Sequence, residues 1–266
     1  MNVTVIIAAA GRSERFGATD KLSSDLGGRP VLIRSVELFT RREEVRTILV
    51  AGPPEGPDLD AFRERYGATL GFHGGTIVAG GATARWETIQ RALAHVPEDA
   101  THVAIHDAAR PGTPNAVIGR TFEAAESVDA VIPVIPIQGT IKRVAGESAT
   151  VNRQDDDDLL ADLILGDAGK STIETRAVEA TIDRTNLVEV QTPQVFARSL
   201  IMRAYAEADL DGTTDDASVV ERLGESVQSV PGDPRNLKIT TPADLEMMRT
   251  LTGHQADPER PAHKRF

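Results

Sequence analysis

The sequence predicts an α/β fold, a three-layer sandwich around a mostly parallel, Rossmann-like sheet. Apolar strand-like runs alternate with helix-period stretches along most of the chain. The runs are continuously apolar, as strands covered on both faces must be. Small residues cluster where several of those runs end, and open parallel sheets bind their ligands beyond the carboxyl ends of the strands.

The elements follow in order. Val3–Ala9 reads as a buried strand. Pro30 then opens a helix with Leu32, Val36 and Phe39 on one face. Arg46–Gly52 reads as a strand, Leu59–Tyr66 as a helix, and Ile77 with Val78 as a short strand. Ala84–Val96 is helical, with Trp86, Ile89, Leu93 and Val96 on the buried stripe. His102–His106 is the next strand, Ile118, Phe122 and Ala125 mark a helix, and Ala130–Val134 is a strand. The alternation then breaks across 135–184, which reads as an inserted arm. That stretch holds the acidic run Asp155–Asp158 and an apolar cluster from Leu159 to Leu165. Leu187–Val190 and Val227–Val230 resume as strands, with Ala197–Ala208, Asp215–Leu223 and Pro242–Leu251 as helices. Residues 1–251 therefore form one domain carrying the arm, and 252–266, rich in Pro, His and charge, read as a disordered tail.

Composition narrows the function. The 266 residues are 40% hydrophobic, enough for a substantial core. No apolar run is long enough to span a bilayer, so no membrane partner is expected. The first residues lead straight into a strand without a basic n-region or cleavage site, so no signal peptide is expected. The chain has no cysteine, which excludes disulfides, thiolate catalysis and cysteine metal sites and agrees with a cytoplasmic location. A formal net charge of −11 argues against a general nucleic-acid binder. Any anionic ligand must meet a focused cluster of cations.

Three segments offer such a site. After the first strand, Ala8-Ala9-Ala10-Gly11 brings backbone close to a ligand, with Arg15 and Lys21 downstream to neutralise phosphate. On its own this segment reads first as an ordinary turn with two surface cations. Gly80-Gly81 precedes a helix with Arg85 in its first turn, a loop that can read a base or ribose or be a plain connection. Asp107, within His106-Asp107-Ala108-Ala109-Arg110-Pro111, ends a strand where a carboxylate can hold Mg²⁺ among phosphate oxygens, or cap a helix, or pair with Arg110. Two common nucleotide motifs fail. Gly11 is not followed by the other glycines of the dinucleotide fingerprint, and Gly169-Lys170-Ser171 has Ile164 where a phosphate loop needs its first glycine.

Taken in order, these segments resemble the 2-C-methyl-D-erythritol 4-phosphate cytidylyltransferase family over nearly the whole chain apart from the arm and tail. The resemblance extends through Thr140-Ile141-Lys142-Arg143, Asp183-Arg184, Gln191-Thr192-Pro193-Gln194, Thr214-Asp215-Asp216-Ala217-Ser218 and Arg235-Asn236-Leu237-Lys238. It implies the nucleotide-diphospho-sugar transferase type of fold and transfer of CMP from CTP to 2-C-methyl-D-erythritol 4-phosphate in isoprenoid precursor biosynthesis. Ribitol 5-phosphate as acceptor, or an inactive nucleotide-binding paralogue, is the alternative. The resemblance assigns Arg15, Lys21 and Lys238 to the reacting phosphates. Ala9, Ala10, Gly11, Gly80, Gly81, Arg85, Thr88 and Asp107 are assigned to the nucleotide. Asp107, Arg110, Thr140, Arg184, Thr192 and Thr214 are assigned to the polyol phosphate. Mg²⁺ is the implied cofactor, meeting Asp107 indirectly through the CTP phosphates. A homodimer is implied, in which the arm carries Thr140 and Arg184 to a partner subunit.

Overall fold

A computed structural model of the chain describes residues 1–11, 16, 20–152 and 172–253. Arg15, the Asp155–Asp158 run, the Leu159–Leu165 cluster and the tail from residue 254 lie outside the described residues.

The chain forms two units, Met1–Ile135 with Glu189–Phe266, and Pro136–Val188. In the first, β1 (Val3–Ala8) is followed by a 3₁₀ turn at Lys21–Ser23 and then by α1 (Val31–Glu37). Then come β2 (Val45–Ala51), α2 (Pro57–Phe72), β3 (Gly75–Val78), α3 (Arg85–Leu93), β4 (His102–Asp107), α4 (Asn115–Ala125) and β5 (Ala130–Pro136). The second unit holds β6 (Ile141–Val144), β7 (Ala149–Asn152), β8 (Thr172–Thr175) and β9 (Val178–Ile182). The chain returns through β10 (Val188–Val190), β11 (Gln194–Ala197), α5 (Arg198–Glu207), α6 (Asp216–Arg222), β12 (Gln228–Pro231) and α7 (Pro242–Leu251).

Helix starts follow local chemistry. Pro57 stands in the first turn of α2, with Asp58 and Asp60 favoured there by the helix dipole. Asp215 with Ser218, and Thr241 with Asp244, form reciprocal capping boxes at the starts of α6 and α7.

The main sheet has the order β10-β5-β11-β4-β1-β2-β3, with β12 also paired to β5. β1 runs parallel to β2 and β4, β2 to β3, and β5 to β12. The sheet is mostly parallel, as expected. β11 is the departure. It runs antiparallel to both β4 and β5 and occupies the gap between them. In the sequence, Gln191–Phe196 stands out as a motif without assignable secondary structure, because the four-residue strand Gln194–Ala197 is too short to show a period.

Period two along the strands builds two cores. Val3, Val5 and Ile7 pack with Val36 of α1, Leu70 of α2, Phe122 of α4 and Met248 of α7. Ile6 faces the other way and packs with Ile89 of α3, Ile201 of α5 and Val220 of α6. That is the three-layer sandwich the sequence predicts.

In the second unit, β6 pairs antiparallel with β9, and β7 with β8. Both are two-stranded ribbons. Among the described residues no helix is long and apolar enough to cross a membrane.

Candidate active site

β1 has β2 and β3 on one side and β4 on the other, so the strand order reverses at β1. Carboxyl-end loops splay apart at such a point. Ala8 lies in register with both Ala51 and Asp107, so three strand ends stand level. A cavity of about 860 Å³ opens there. Ala9, Ala10, Gly11, Lys21, Gly81, Arg85, Thr88, Asp107 and Lys238 all line it, which brings nine of the site residues expected from sequence to one place.

The loop between β3 and α3 is held by its own side chains. A Cβ on Gly80 would lie 2.2 Å from the Gly52 carbonyl oxygen and 2.9 Å from the Ala10 Cβ. Only glycine fits, and it keeps the two glycine loops in contact. The Gly81 N–H donates to Thr88 Oγ1 at 3.0 Å. Glu87 Oε2 accepts from the N–H groups of Ala82 (2.9 Å) and Thr83 (3.1 Å) and from the Thr83 hydroxyl (3.0 Å). Its stem lies where a Gly81 Cβ would be, 2.5 Å from that position at Glu87 Cβ. Glu87 was not expected from sequence, since a surface glutamate in a first helical turn carries no distinguishing signal.

Asp107 is the electrostatic centre. Lys238 Nζ stands 2.9 Å from Oδ2, Arg110 Nε 3.3 Å from Oδ2 and Arg85 Nη2 3.7 Å from Oδ1. Burial pushes the carboxyl pKa up. The charges of Arg85, Lys238 and Arg110 outweigh burial and hold it well below the usual carboxylate range. Arg85 also donates to Asp216 Oδ2 at 2.7 Å. Burial opposes its charge, but Asp216 and then Asp107 raise its pKa, so it stays cationic.

A second network lies beneath. The Asp107 N–H donates to Thr192 Oγ1 (3.1 Å), and that hydroxyl pairs with His106 Nδ1 (3.0 Å). His106 Nε2 donates to the Arg110 carbonyl (3.2 Å), which leaves Nδ1 as the acceptor for the Thr192 hydroxyl. His106 is fully buried, and burial pushes its pKa down to about 4, so it is neutral. Arg110 Nη1 donates to the Asn236 carbonyl at 2.7 Å, and Asn236 Nδ2 donates to the Thr192 carbonyl at 2.8 Å. These bonds tie the segment bearing Lys238 to the end of β4.

The remaining expected residues fall elsewhere. Gly80, Arg110 and Thr192 pack behind the cavity wall, Arg110 and Thr192 with 6% and 5% exposure, their polar groups turned to protein partners. Thr214 is exposed just before the α6 cap. Thr140 and Arg184 belong to the second unit, where both are exposed and Arg184 donates to the Gln138 carbonyl. Asp216, Tyr205, His106 and Asn236 are additions. Asp216 and Asn236 sit inside segments that stand out in the sequence, but nothing there shows what they touch.

Among the described residues no group of three or more His, Asp or Glu could hold a metal ion. Asp107, ringed by three cations, suits a divalent ion only when phosphates bring the opposing charge with it. The cavity is nucleotide-sized and is lined by Lys21, Arg85 and Lys238 together with the glycine loops, which suits a polyphosphate whose charge shifts during reaction.

This fold and this site define a nucleotidyltransferase. The profile of the family described as IspD, 2-C-methyl-D-erythritol 4-phosphate cytidylyltransferase, matches residues 3–164 and 159–252. The chain belongs to that family. It is similar to the 2-C-methyl-D-erythritol 4-phosphate cytidylyltransferase of Rhodococcus jostii, with 38% identity over 251 residues, 94% of each chain. The enzyme of that name from Frankia casuarinae is 37% identical over 251 residues, covering 94% of this chain and 80% of the relative. The crystal structure of the Thermus thermophilus enzyme superposes with a TM-score of 0.69 at 28% identity, covering 95% of this chain and all of that one (100%).

Proposed function

We propose that the chain transfers CMP from CTP to 2-C-methyl-D-erythritol 4-phosphate and releases pyrophosphate, a step in isoprenoid precursor biosynthesis. The observation that carries this is the cavity where both glycine loops meet Asp107, Lys238 and Arg85, in a chain whose residues 3–164 and 159–252 match the family profile. A phosphate oxygen of the acceptor attacks the α-phosphorus of CTP. The bond from that phosphorus to the bridging oxygen breaks, and pyrophosphate carries the electron pair away. The acceptor phosphate is already anionic near neutral pH, with a second pKa of about 6, so no strong base is required. The loops at Ala9–Gly11 and Gly81–Thr88 orient the nucleotide. Lys21, Lys238 and Arg85 stabilise the charge that moves to the leaving group, and Arg15 joins them by its place in the sequence. Mg²⁺ bound with the triphosphate would supply further charge neutralisation, and Asp107 is the residue that would face it through the phosphates.

The arm completes the reading. Two-stranded ribbons are marginal in water on their own, and here Ile173 and Val178 are 57% and 61% exposed. A homodimer in which the arm brings Thr140 and Arg184 to a second copy's cavity would cover such ribbons. The cysteine-free sequence supports a cytoplasmic location. Purified protein, tested for pyrophosphate release with CTP, UTP or ATP against a panel of polyol phosphates, decides the assignment. CTP with 2-C-methyl-D-erythritol 4-phosphate should be the productive pair, and equal rates with another nucleotide or with ribitol 5-phosphate would reject it.

A further inference from the structure

The reaction above makes no use of Asp216, yet this side chain is fully buried and both its oxygens are engaged. Oδ1 accepts from the Tyr205 phenol at 2.6 Å, and Oδ2 from Arg85 at 2.7 Å. A carboxylate is costly to bury unless it is paired and hydrogen-bonded. Capping explains its neighbours, because Asp215 and Ser218 close the capping box of α6. Capping does not explain Asp216.

The geometry around Arg85 does. Two carboxylates share three cations here. Arg85 lies at hydrogen-bond distance from Asp216 but 3.7 Å from Asp107 Oδ1, too long for a hydrogen bond. Asp107 spends its other oxygen on Lys238 at 2.9 Å and Arg110 at 3.3 Å. Without the Asp216 charge, Arg85 would have Asp107 as its remaining carboxylate. It would close on Asp107 and compete with Lys238.

We propose that Asp216, anchored by Tyr205, is a positioning residue that keeps Arg85 back from Asp107 and so leaves Asp107 to hold Lys238 at the cavity wall. The effect on turnover rests on the cytidylyltransfer reading. The effect on Lys238 is a property of the ligand-free protein and does not.

The test therefore has two readouts. In the first, ligand-free wild-type, Asp216→Asn and Tyr205→Phe proteins are labelled briefly with acetic anhydride, and each lysine peptide is quantified by mass spectrometry. Lys238 labelling should rise several-fold in Asp216→Asn and by less in Tyr205→Phe, while Lys142, in the second unit, stays constant. In the second, Asp216→Asn should lower kcat roughly tenfold with KM for CTP nearly unchanged, and should add almost nothing in a Lys238→Ala background, since residues acting as one unit are non-additive. Unchanged Lys238 labelling in folded Asp216→Asn overturns the proposal, as does full additivity with Lys238→Ala. If Asp216→Asn does not fold, unchanged labelling in Tyr205→Phe overturns it. Wild-type protein that releases no pyrophosphate rejects the assigned reaction, and the labelling result still judges the positioning role.

Discussion

Five of the six residues of β1 are buried, whereas four of the five in β9 are exposed. Both strands are rich in Val, Ile and Thr, so residue type does not separate them. Neighbours do. β1 has a strand on each side and helices on both faces, while β9 has one partner strand. The main unit thus buries its own apolar surface and builds a cavity whose side chains are already held by one another. Among the described residues, none from the arm strands joins either buried core. The difference fits the proposed division of labour, in which one unit performs the chemistry and the other supplies residues to a second copy.

The strongest test of that division uses two inactive proteins. Lys238→Ala should lower turnover by a factor equivalent to about 2.7–4 kcal/mol in the barrier, the usual cost of one lost contact to developing charge. Arg184→Ala, which removes a cation expected on the acceptor phosphate, should also leave the protein inactive. Mixed together, they should regain activity as subunits exchange, because a mixed dimer contains one intact site. Demonstrated mixed dimers without activity would show that the arm does not act across an interface.

Packing density separates the units next. Gly80→Ala would push a methyl group into the Gly52 carbonyl, and should destabilise the main unit by about 1–3 kcal/mol or more in denaturant unfolding. It should also weaken CTP binding, because the same contact joins the two loops.

The buried histidine gives the main unit a pH dependence that the histidine-free stretch 136–188 lacks. His106 has its pKa lowered from 6.5 to about 4, so between those values the unfolded chain binds the proton that the folded one refuses. Stability is complete above pH 6.5 and is lost as pH falls toward 4. The shift corresponds to at most about 3 kcal/mol. The stability gap between wild type and His106→Gln, from urea titrations, should therefore be widest near pH 7 and narrow as pH approaches 4. A gap independent of pH would mean that His106 is not held neutral.

The smallest effect belongs to the arm. An added Cβ at Gly146 meets no atom within 4 Å, so Gly146→Ala should change stability by less than about 0.5 kcal/mol. A loss as large as that of Gly80→Ala would mean that the arm is as closely packed as the main unit.

The alternation of most strands and helices in the main unit and the strand ends that face the ligand were legible in local patterns: apolar runs, helical periods, and small residues or charges at their ends. The grouping of Lys21, Arg85, Asp107 and Lys238 into one site was legible through the resemblance to the family and not from any local pattern. The antiparallel insertion of β11, the pairing of Arg85 with Asp216 and Tyr205, and the placement of Thr192 and Arg110 behind Asp107 were decided only in the tertiary structure. Each joins segments far apart in the chain, and no local period or spacing specifies which distant group a side chain will meet. Packing makes that choice, since a buried polar atom must find a partner wherever the folded layers bring one within reach.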